Sequence, residues 1–355
     1  MAERPRLAIV IDTEEEFDWS KPFSRDSRST LTIPAQAQAH RIYDRFGVVP
    51  TYVVDHPVAT SEVAVDFLGG LQREGRAEIG AHLHPWVTPP HEEEVTTRNS
   101  YHCNLPPDLE SAKLAALTET IAEHFGHRPT VFKAGRYGFG PNTASTLVAL
   151  GYTVDCSFVP HTSFAADGGP SFYGCPDQPF WLEGGRLLEV PLTSGHIGRM
   201  ASVGARVQPL CDSGLAQSLH MPGMLARARL LARTRLTPEG VPAQEQCELL
   251  AALVARGRRV FTLTYHSPSL APGCTAYVRT EADLEAFLAS IETVLTFFRD
   301  ALGGTFTTLS ELHRAYRADA ERGGSLAALS AGQTAPAAER RAASMLHGPG
   351  PANTK

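Results

Sequence analysis

The chain has 355 residues, is 43% hydrophobic and carries a formal charge of -6, so it can bury a sizeable core. Acids and bases are mixed along it, which argues against nucleic acid or an anionic membrane as the main partner. No apolar run approaches the roughly 20 residues of a spanning helix, six scattered cysteines without a CxxC pair read as free thiols, and MAERPRLAIVIDTEEE runs straight into acids rather than a cleavage site, so the expected location is the cytoplasm.

LAIVID, at 7–12, is the first predicted strand. After it one pattern recurs: a helical stretch ends in glycine and a β-rich run follows within a few residues. RFGVVPTYVV, REGRAEIGAH, HFGHRPTVFK, ALGYTVD, ARGRRVFTLTYH and ALGGTFTT all fit. Glycine past a helix end accepts the left-handed conformation that closes the helix. The β-branched runs suit strands covered on both faces. Repeated helix–Gly–strand units predict an α/β fold with a parallel sheet of about seven strands; LLEVPL, at 187–192, offers a further one. Two segments interrupt the spacing, about 85–110 and 156–240. The first is rich in Pro, Glu and His and reads as a long loop. The second holds MLARARLLARTRL, which reads as an amphipathic covering helix. Residues 1–318 are expected to form one domain. The Ala/Gly/Ser/Pro-rich remainder, 319–355, is expected to be a disordered tail.

Nearly every strand delivers a polar residue at its carboxyl end: Asp12 and Glu14, Asp55 and His56, His82 and His84, Arg136, Asp155, His266. In a parallel barrel or open sheet, that end is where ligands bind. Residues i and i+2 of an extended segment point the same way, so His82 and His84 can face one ion, as can Asp12 and Glu14. Two imidazoles and one carboxylate make an open zinc shell. Pro85 would end the strand, and Trp86 would wall the site or support a sugar ring. His91 with Glu92, Glu93 and Glu94 reads as a solvated loop, and His124 and His127 as surface. His161 admits either role.

The order acid pair, histidine pair, Arg–Tyr–Gly, Asp, Leu-x-x-His resembles the NodB-type polysaccharide deacetylases over about residues 6–315. Within them, IDTEEEFDW and GAHLHPW look like a divergent branch with WalW-like members. The resemblance implies a distorted parallel (β/α) barrel of about seven strands. It implies Asp12 as general base, Arg136 as the arginine holding that base, Asp155 as the acid orienting the late histidine, and His266 as general acid. It implies a divalent metal, zinc by preference, on Glu14, His82 and His84, with Glu15 the weaker alternative to Glu14. Thr13 separates the two acids, and Trp86 stands where the second histidine usually lies, so His84 must substitute. Trp19, Trp86 and Tyr137 are the expected platform for a sugar. The expected activity is removal of acetyl from an N-acetylated sugar or polysaccharide precursor. The alternatives are hydrolysis of a non-carbohydrate amide and non-catalytic sugar binding.

Overall fold

The structure is a computed structural model describing residues 4–323. Seven parallel strands form the frame: β1 (Arg6–Thr13), β2 (Thr51–Val54), β3 (Glu78–Leu83), β4 (Val131–Ala134), β5 (Val154–Asp155), β7 (Leu187–Glu189) and β10 (Val260–His266). Their order is β10-β1-β2-β3-β4-β5-β7, with β6 (Phe180–Leu182) antiparallel on the β7 edge. Short β11 (Thr305–Phe306) pairs with the start of β1. A separate antiparallel pair joins β8 (Ser194–Ile197) to β9 (Ala232–Arg235).

The strands sit where the apolar runs predict, because each is buried on both faces. Leu7, Ile9 and Ile11 of β1 pack outward against the helices. Ala8 and Val10 pack inward with Val53, Val131, Val154 and Val260. Fully burying each such side chain is worth about 1.5–3 kcal/mol. Leu309 and Leu312 of the helix Leu309–Arg322 join this inner layer. Gly47 and Gly126 close their helices at positive φ, as the recurring pattern requires.

The ring does not close by strand pairing between β7 and β10. Threonines span the gap instead. The amide of Thr193 donates to Thr262 Oγ1, and the amide of Thr262 donates to Thr193 Oγ1, both at 2.8 Å. The curled sheet is therefore a distorted, incompletely hydrogen-bonded (β/α) barrel.

The segment 156–240 contributes β6 and β7 to this sheet, so LLEVPL is a frame strand. MLARARLLARTRL departs from its expected form. Helix ends at Arg227, Ala232–Arg235 is strand β9, and the helical part buries no residue. The 85–110 segment is largely loop, but Glu93 is not solvated. It pairs at 3.0 Å with the buried ammonium of Lys113, which also donates to the carbonyls of Pro85, Thr88 and Pro90. The last helix runs to Arg322, beyond the expected start of the tail at 319; residues 324–355 lie outside the described residues. None of the described helices is long and apolar enough to cross a membrane, and no disulfide joins any of the six cysteines.

Candidate active site

Strand parity selects the side chains that meet at the carboxyl end of the barrel. Continuing the inward phase of Ala8 and Val10 reaches Asp12 and Glu14. The phase of Val131 reaches Lys133, and that of Val260 reaches Thr264 and His266. His82 and His84 lie at the end of β3 with ring centroids 4.7 Å apart. All of these but the fully buried Lys133 line one cavity of about 940 Å³, with Tyr137, Arg136 and half-exposed Trp19 on its wall.

Glu14, His82 and His84 form a buried group whose ligand atoms lie within 4.8 Å of one another. Glu14 Oε2 is 3.6 Å from His82 Nε2 and 3.4 Å from His84 Nε2. The other ring nitrogens are already engaged: His82 Nδ1 with the carbonyl of Lys133 at 2.9 Å, His84 Nδ1 with Glu15 Oε2 at 2.8 Å. Such outer partners fix the tautomer and leave Nε2 free to ligate. Burial holds both imidazoles below their ordinary pKa, hence neutral, as metal ligation requires. Burial also pushes the Glu14 carboxyl up to about 8, a penalty that a cation would relieve. The donor set fits a divalent ion.

Glu15 belongs to a second buried group of possible ligand atoms, with Asp55 and His84, but is engaged differently. Its carboxylate accepts from His84 and, at 2.8 Å, from the Trp86 indole, and its own amide donates to Asp55 Oδ2. Burial and the neighbouring Glu15 raise the Asp55 carboxyl well above its ordinary range. Trp86 is accordingly no sugar platform. It is 1% exposed, stacks on the His84 ring at 4.3 Å and is absent from the cavity wall. Gly135 packs against Leu83 and His84 so closely that a Cβ there would overlap both, which makes it a steric condition for the His84 position.

Asp12 accepts from Lys133 Nζ at 2.5 Å, and Lys133 also donates to Thr264. Burial alone would raise the Asp12 carboxyl. Lys133, His82 and His266 outweigh it and hold the pKa below its ordinary value. The cation beside Asp12 is therefore Lys133, not Arg136. Arg136 follows β4 in a turn at φ 51, where the guanidinium lies 4.2 Å above the Tyr101 ring and donates to Ser100 Oγ at 2.5 Å. Alternation puts Lys133 on the inward side and leaves Arg136 on the rim. The sequence FKAGRYG contained both cations; only the strand's end decides between them.

On the neighbouring strand β10, His266 is the register partner of Asp12, and its Nε2 is 3.6 Å from Asp12 Oδ2. His266 Nδ1 is 2.8 Å from Glu239 Oε2, and its amide donates to Glu239 Oε1 at 3.0 Å. Burial would depress the imidazolium, but Glu239, Glu14 and Asp12 raise it well above its ordinary pKa. The carboxylate that meets His266 is therefore Glu239, not Asp155. It sits in LTPEGVP, a Pro/Gly turn with no strand to announce its direction.

Asp155 faces outward because Val154 and Cys156 on either side of it pack inward. It accepts from Ser157 Oγ at 2.6 Å and is the register partner of Glu189 on β7. Burial, then Asp155, raises Glu189 well above its ordinary range, and Glu189 Oε2 faces no donor, so this buried pair holds a proton. The folded chain then keeps a proton that the unfolded chain releases above about pH 4.3. Stability is lost as pH rises from there towards the folded pKa. Glu189→Gln carries no such proton, so its stability relative to the parent should grow between pH 5 and pH 8, by up to about 1.4 kcal/mol per unit. Urea unfolding at the two pH values measures it; a gap that shrinks with pH would contradict a protonated Glu189.

No family model and no curated protein matches the sequence. Solved structures do match the fold. A putative polysaccharide deacetylase from Mycobacterium smegmatis is 17% identical with a TM-score of 0.50, over 89% of this chain and 92% of that one. Puue allantoinase is 14% identical with a TM-score of 0.51, over 88% and 90%. A putative glycoside hydrolase/deacetylase from Parabacteroides distasonis is 11% identical with a TM-score of 0.57, over 89% and 72%. The chain thus has the (β/α) barrel fold of polysaccharide deacetylases.

Proposed function

We propose that this chain is a metal-dependent hydrolase that removes acetyl from an N-acetylated sugar or polysaccharide precursor. The observation carrying this reading is the pairing, within one cavity, of a Glu14–His82–His84 donor set with an ionised Asp12 and, 3.6 Å away, a protonated His266. A divalent ion, zinc by preference for this set, would supply polarisation of the amide carbonyl and acidification of water.

The chain's own groups do the rest. Asp12 takes the proton of the attacking water at Oδ2, while Lys133 holds Oδ1 and keeps the carboxylate ionised. His266 gives its Nε2 proton to the departing amine. Glu239 keeps that proton on the ring by pairing with Nδ1. Tyr137 and Trp19 stand on the cavity wall where a sugar would lie. A non-carbohydrate amide is the second reading. It is supported by the likeness in fold to an allantoinase and by the loss of Trp86 from the sugar platform. Acetate release from N-acetylated nucleotide sugars, run beside ammonia or carboxylate release from cyclic amides, separates the two readings. Activity on neither, by metal-replete protein, would sink both.

The ligand set carries its own prediction. His84→Ala should lower metal content, measured by atomic emission on purified protein, by more than about tenfold, since even outer-shell losses cost 10–100-fold. Retention of metal by His84→Ala alongside its complete loss in Glu15→Ala would overturn the assignment.

A further inference from the structure

The segment from Arg199 to Arg235 differs from the rest of the chain. It contains six arginines and one acid, Asp212, within a protein of net charge -6. That acid is already taken: Arg233 pairs with it at 3.2 Å and the Tyr173 hydroxyl donates to it at 2.6 Å. Arg199, Arg206, Arg227 and Arg229 have no ion pair among the described residues and are exposed.

The same segment concentrates exposed apolar side chains. Leu215 is 74% exposed, Leu210 67% and Leu219 59%, with Met224 and Met200 close behind; these are five of the nine large apolar side chains exposed in the described residues. The helix Gly204–Cys211 buries Gly204, Gln208 and Cys211 on one face. Its opposite face presents Arg206 and Leu210, four residues apart and hence neighbours. In Gly214–Ser218 only Ala216 is buried. Met221–Arg227 buries nothing and sets Met224 one turn from Arg227. Apolar side chains scattered singly are ordinary on a surface; five of them concentrated on successive short helices and their flanks, framed by one sign of charge, mark an interaction face.

We propose that this three-helix face docks on an anionic lipid surface, with the leucines and methionines entering the headgroup region and the arginines meeting lipid phosphates. Interfacial helices bind by that pairing of apolar area with electrostatic attraction. A second copy of the chain fits worse, because a twofold contact would set the same unpaired arginines against each other. Nucleic acid would use the arginines but leave the exposed leucines unexplained. Strand β9 leads from this face to Arg235 and Leu236 on the cavity wall, so a docked molecule would hold the candidate site beside the membrane. The proposal does not depend on the deacetylase reading.

Sedimentation of the full-length protein with vesicles tests it. Binding is expected to vesicles of phosphatidylcholine with about one-third phosphatidylglycerol, not to phosphatidylcholine alone, and to weaken with salt. The triple variant Arg206→Glu, Arg227→Glu, Arg229→Glu should lose more than roughly tenfold of the binding. Leu215→Ser with Leu219→Ser, both exposed and uninvolved in the core, should weaken it while the charge is unchanged. No binding to the anionic vesicles would overturn the proposal. So would binding that both variants retain, or a dimer in sedimentation equilibrium that Leu215→Ser/Leu219→Ser dissociates.

Discussion

Asp12→Asn is expected to fold, to keep its metal, and to lose about two to four orders of magnitude in turnover, the usual worth of a general base. Asparagine preserves the size of the side chain, and its oxygen still accepts from Lys133 Nζ. It cannot accept a proton from water. The ligand atoms on Glu14, His82 and His84 are untouched, so metal content should match the parent. The decisive measurement is metal content beside turnover on whichever amide the release assays identify. Folded, metal-replete Asp12→Asn with parental turnover would remove Asp12 as the base.

Lys133→Met is expected to have the largest combined effect on stability and rate. Methionine fills much of the volume but leaves the Asp12 charge buried without its cation. Truncating one partner of such a pair costs about 3–5 kcal/mol. Burial raises the Asp12 carboxyl, and Lys133 is first among the groups that counter it. Without the ammonium, the carboxyl must move up. A base whose pKa rises is protonated over a wider acid range, so the acid limb of the rate profile should shift to higher pH. Thermal denaturation and a pH–rate profile of the same preparation check both halves. Arg136→Met offers the contrast: its guanidinium lies over Tyr101 rather than beside Asp12, so the acid limb should stay in place. An acid limb that moves in Arg136→Met and not in Lys133→Met would return the role to the arginine.

Much of this was legible in the residues. The apolar runs fixed the strands, because β-branched stretches flanked by helix-closing glycines can bury both faces only in a parallel sheet. His-x-His at a strand end placed both imidazoles on one side, and the structure has them 4.7 Å apart with Glu14 against both. Asp12 and His266 occupy one cavity for the same reason.

Two expected contacts are absent, and that of Glu239 was not foreseen, where period-two reasoning lacked a strand long enough to anchor it. β5 spans only Val154–Asp155, and its apolar neighbours suit either face, so the outward direction of Asp155 was invisible. β4 ends at Ala134, which gives Lys133 the inward position and sends Arg136 into a turn. Glu239 comes from a Pro/Gly turn whose path the sequence does not encode locally. Trp86 followed a metal histidine and seemed free to meet a sugar; its indole instead serves Glu15. Local sequence determined which residues lie at strand ends, because side-chain alternation is a property of the backbone alone. Which of those residues share a charge or a proton was decided only by tertiary packing, which sets how burial cost is offset between groups more than a hundred residues apart, as with Lys133 and Asp12.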